Sequence, residues 1–169
     1  MLALFGAAAM AFAQLPPGSD IECIINGISP EAAAALMGEM AQGQDELPEA
    51  VSKPLEEAVD ACRARGNWSE SHAAKAGALA IASLMGAAAE EQLEQAGIAA
   101  EAISSWLEAQ PASVQTRAEL TQADVENLGR ALEAAGYAEE KLSANGEAIG
   151  LYLGSLIIFH RVGRGLPIE

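Results

Sequence analysis

The stretch that most constrains this chain is residues 76–89, where every position is apolar or small and none carries a charge. The stretch includes Gly77, Ile81, Leu84, Met85 and Ala88. A helix that is apolar all round has to be enclosed by its neighbours to be stable in water. Ser69 and Glu70 mark where it starts, as a cap followed by an acid, with Trp68 placed for a staple contact onto the first turn. Glu90, Glu91, Gln92 and Glu94 return it to solvent ahead of Gly97. The expected fold is therefore all-α: a compact bundle of six or seven helices around a buried Ala/Gly-rich central helix. Alanine, the best helix former, is the commonest residue at 38 positions, while aromatics make up only 4%. No run of useful length has the two-residue period of a strand.

The remaining helices announce themselves by caps and stripes. Ser19 and Glu22 stand in capping-box spacing at the start of a short helix expected over 20–25, and Asn26-Gly27 ends it. Ser29-Pro30-Glu31 opens the next in the order cap, proline, acid, and it is expected to reach Gln42 ahead of Gly43. Pro48 and Pro54 bracket the next start; from Pro54 onward Leu55, Val59 and Cys62 share one face, and Gly66 is the expected stop. Ala99, Ala102, Ile103, Trp106 and Leu107 share another face before Pro111. Residues 111–120 read equally as a turn of helix or a loop. Thr121 and Asp124 stand in capping spacing ahead of the Val125, Leu128 and Leu132 stripe, which Gly136 closes. A final helix is expected over 138–162, with Asn145-Gly146 as its one point of interruption.

Residues 1–13, MLALFGAAAMAFA, carry no charge and end in the small-x-small pattern of a signal-peptidase site. They are too short to span a bilayer. Cleavage after Ala13 would leave 14–169 as a single exported helical domain, periplasmic or secreted. In an oxidising compartment Cys23 and Cys62 are expected to pair as a structural disulfide. Their separation of 39 positions sets the closure term at about 4 kcal/mol as an upper figure.

Charge excludes other partners. Nine basic against 24 acidic residues give −15, a balance that repels nucleic acid and anionic membranes. Two histidines are too few for a usual zinc site, and no pattern implies a metal or cofactor. Gly146, Gly150 and Gly154 recur every four residues on the last helix. They are expected to pack closely against helix 70–96, or else to form a homodimer face or interface groove. The apolar run around them, 148–159, is too short for a membrane span. His160, in the last turn of its helix, is placed to interact favourably as a cation with the helix dipole. The favoured function is binding of a protein partner or self-association. A cell-envelope enzyme using Glu70, His72 or His160 is the first alternative, and it requires those side chains to converge. A carrier of a small apolar ligand within the bundle is the second.

Overall fold

The computed structural model describes residues 20–41 and 48–166. The apolar leader with its cleavage position at Ala13 lies outside the described residues, as do the expected cap Ser19 and Gln42 and Gly43. All regular structure among the described residues is helical. The elements are α1 Asp20–Gly27, α2 Pro30–Ala41, α3 Glu49–Gly66, α4 Glu70–Gln95, α5 Ala100–Glu108, α6 Ala112–Gln115, α7 Gln122–Ala134, α8 Glu139–Ala144 and α9 Gly146–Gly163. Seven of these are eight residues or longer. The two short ones, α6 and α8, fall in the ambiguous 111–120 stretch and in the first part of the expected final helix.

Local chemistry explains most boundaries. Ser69 caps α4 by accepting from the His72 amide at 3.2 Å. Thr121 and Asp124 form a reciprocal capping box at the start of α7. Gly97 and Gly136 take positive φ of 67° and 98°, which ends α4 and α7 without the penalty a Cβ would bring. Asn145 breaks the final segment, because its side chain donates to the Lys141 carbonyl at 2.8 Å and closes α8 before Gly146 restarts the chain. α3 begins at Glu49, between Pro48 and Pro54, and its last residue is Gly66, as expected. Pro54 is tolerated inside it because a proline this near the start forfeits one helical hydrogen bond whose acceptor residue, Ala50, is exposed. The left-handed residue that follows is Asn67, at φ 51°. Gly66 is needed for another reason: a Cβ there would overlap the Trp68 indole.

α4 is the post on which the molecule is built. Its first half joins Ile21, Ile24 and Ile28 of the α1 region with Leu55, Ala58 and Cys62 of α3 in one apolar cluster. Its second half joins Ile103, Trp106 and Leu107 of α5, Leu128 and Leu132 of α7, and Tyr152 to Ile157 of α9 in another. The most extensive helix pairing in the fold is α4 with α9. Small side chains let their backbones approach, and Ala80, Ala82 and Ala89 of α4 and Ser155 of α9 retain no accessible surface. The buried serines behave as small apolar residues, since Ser83 donates to Leu79 O (2.8 Å) and Ser155 to Tyr152 O (2.7 Å) within their own helices.

Cys23 of α1 and Cys62 of α3 are disulfide-bonded, with Cα atoms 6.1 Å apart. The Arg65 guanidinium lies over the bridge, 3.0 Å from the Cys23 sulfur. Closing this loop restricts the unfolded chain more than it adds contacts to the folded one. Replacing both cysteines by alanine should lower the unfolding free energy by about 2–4 kcal/mol in a urea titration. The parent's sensitivity to reductant should disappear in the same variant.

Candidate functional site

The C-terminal end of α9 is tied to the segment before α7. Arg161 donates to Thr116 O at 3.0 Å, and Arg164 donates to the Gln115 side-chain oxygen at 2.6 Å. Gln115 is itself buried and donates to the carbonyls of Glu108 and Gln110 at 3.0 and 2.9 Å. These bonds fix the loop that carries Ala118 and Leu120. Arg117 pairs with Asp124, the same carboxylate that closes the capping box, and so sets where α7 begins. At the other end the Tyr137 hydroxyl accepts from the Ala99 amide at 2.9 Å, fixing the turn between α7 and α8 against the start of α5.

The result is an apolar groove of about 460 Å³ between α7 and α9, closed at its ends by α8 and the 118–120 loop. Leu128, Leu132 and Val125 form one wall, and Ile149, Leu153 and Ile157 the other, with Leu142 and Leu120 near the ends. Among the described residues Ser143 supplies the one polar side chain of the lining. Val125, at the mouth, is 51% exposed, unusual for a large aliphatic. Gly146, Gly150 and Gly154 all line this groove. A Cβ on any of them would meet nothing within 4 Å. They therefore do not pack against α4, and that expectation is corrected. The face of α9 half a turn away, with Ala148, Tyr152 and Ser155, is the one that is buried. Residues two apart on a helix lie about 200° apart, so the sequence spacing served both readings.

The titratable candidates lie apart. Glu70 is exposed in the first turn of α4. His72 pairs with Asp20 at 2.6 Å, and its ring sits 5.1 Å from that of Trp68. His160, in the last turn of α9, is held below its ordinary pKa by burial, with Arg164 adding to the effect. That corrects the expectation of a dipole-stabilised cation, because desolvation and a like charge act against the dipole there. None of the three lines the groove. Beneath the α4–α9 contact, burial and then Glu90 push the Tyr152 hydroxyl up to about 12, so it stays protonated. Burial also raises Glu90, with Glu94 as the second cause. The stability that the protonated Glu90 contributes is present at acid pH and is lost as pH rises through that raised value. Among the described residues no group of three His, Cys, Asp or Glu is placed to hold a metal ion. No helix among them is long and apolar enough to cross a membrane.

A more open hollow of about 430 Å³ lies between α3 and α4, bounded by Leu55, Val59, Gly77 and Ile81 with Glu56 and Asp60. Comparison with known proteins adds no relative: no family model, no curated protein and no solved structure matches this chain.

Glycine in a helix interior costs about 0.5–1 kcal/mol relative to alanine. Gly150→Ala and Gly154→Ala should each raise the unfolding free energy by about that amount, because the added methyl enters open space. Denaturant titration checks this, and a loss of stability would mean that the glycines face packed atoms.

Proposed function

We propose that this protein is an exported, disulfide-bonded helical domain that acts without catalysis, by docking an apolar helix of a partner protein in the groove between α7 and α9. The observation that carries this reading is the pair Gly150 and Gly154. They lie inside a helix where alanine would be more stable, and no contact among the described residues requires them. A flat glycine floor is useful when another backbone has to come close. Export rests on the apolar 1–13 segment with its small-x-small ending, and on a disulfide of the kind that persists in oxidising compartments.

The groove volume favours one second reading, a carrier of a small apolar ligand, since about 460 Å³ falls within the range of small-molecule sites. The enzyme reading built on Glu70, His72 and His160 draws no support from side chains that face different surroundings.

A photo-crosslinking residue in place of Val125 separates these readings in the protein purified from the compartment to which it is exported. Docking predicts a discrete protein adduct that disappears in the Gly150→Leu background. An adduct of a few hundred daltons, also lost in that background, would favour the carrier. Crosslinking indifferent to Gly150→Leu would remove the groove from the function.

A further inference from the structure

The two sulfurs of the Cys23–Cys62 bridge stand in different surroundings. Cys62 keeps only 1% of its surface accessible, in the cluster with Ile21, Ile24, Leu55 and Ala58. Cys23 is half-buried. Arg65, three residues beyond Cys62 on α3, is exposed and sets its guanidinium 3.0 Å from the Cys23 sulfur and 3.4 Å from the Cys62 sulfur. A basic residue in the last turn of α3 suits the helix dipole, but the dipole does not dictate where its head group rests. A disulfide sulfur is uncharged and a weak acceptor, so the guanidinium gains little from the bridge as it stands. It gains far more once a sulfur becomes a thiolate.

We propose that this bridge is a site of thiol–disulfide exchange, entered at Cys23 by the thiolate of a second molecule, with Arg65 compensating the charge that appears on Cys62. The incoming thiolate bonds to the Cys23 sulfur, the Cys23–Cys62 bond breaks, and its electron pair leaves on Cys62. A second thiolate then attacks the incoming sulfur of the mixed disulfide, which frees Cys23 as a thiolate and joins the two external sulfurs. The protein gains two electrons, and two external thiols become one disulfide. Run backward, the same steps close the bridge, with the Cys62 thiolate attacking the mixed disulfide at Cys23. Access selects the entry sulfur, and the stability of the departing thiolate governs the rate. A thiolate at Cys62 is enclosed by aliphatic side chains, where an uncompensated charge is costly. Arg65 is placed to offset that cost. The exchange concerns the α1–α3 end of the molecule and does not depend on docking in the α7–α9 groove.

The test follows reduction of the full oxidised chain by reduced glutathione, and separately by a thioredoxin-fold oxidoreductase lacking its resolving cysteine. Samples are quenched in acid and mapped by peptide mass spectrometry. The mixed disulfide should sit on the Cys23 peptide with either probe, and one formed only with the oxidoreductase would assign the incoming thiol to a protein. Cys62→Ala should take up glutathione at Cys23 from its oxidised form, whereas Cys23→Ala should leave Cys62 unmodified until urea is added. Arg65→Gln should slow reduction of the bridge about three- to tenfold, and Arg65→Lys, which keeps the charge, should retain most of the rate. An arginine that merely covers the bridge gives the opposite sign, because its removal exposes the sulfurs and speeds reduction. Circular dichroism checks that each variant is folded. A mixed disulfide on Cys62, an unchanged or faster reduction in Arg65→Gln, or a bridge that neither probe opens without urea would overturn the proposal.

Discussion

The close contact between α4 and α9 is the interaction on which the rest of the fold depends. α4 is apolar over most of its circumference, so it is stable only when enclosed, and α9 encloses the largest share of it. Alanine, glycine and serine along the seam let two backbones come close, and dispersion at short range takes the place of large interlocking side chains. Because both apolar clusters include part of α4, the disulfide-bonded α1–α3 end and the groove-bearing α7–α9 end are built on one element. A seam of small residues leaves little room for adjustment, since an added methylene has nowhere to go.

That seam also determines what α9 shows to solvent. With Ala148, Tyr152 and Ser155 committed to the interior, the opposite face, with its three glycines, is left over for the groove. The fold needs the first face and has no evident need of the second. Glycine therefore has two different uses in this protein. Gly97 and Gly136 serve left-handed turns that end helices, whereas Gly150 and Gly154 sit in ordinary helical conformation beside open space.

The architecture was legible because it is local. Ser69, Thr121 with Asp124, Gly97 and Gly136 each act within a few residues, so their effect can be read from spacing. Cys23 and Cys62 were legible in combination, since two thiols alone in the described chain have few other partners. What the sequence could not carry is direction across the fold. A stripe of glycines has the same spacing whether it meets a neighbouring helix or an open groove, and only the packing of α7 and α8 around α9 decides between them. The same holds for His160. Its place near a helix end suggests a favourable dipole, while the burial and the Arg164 charge that oppose it follow from tertiary structure. Pro48 and Pro54 bracket the start of α3 by local rules, and the chain tolerates Pro54 inside the helix because the lost bond lies near an exposed first turn.

Native-state amide hydrogen exchange tests most directly whether the α4–α9 seam is the centre of the structure. Amides of 76–89 in α4 and 152–157 in α9 should exchange slowest and with the same opening free energy, as one cooperative unit, while α2 and α7 open at lower cost. If α9 exchanged well before α4, or if α7 outlasted both, the seam would not be the contact on which the fold depends.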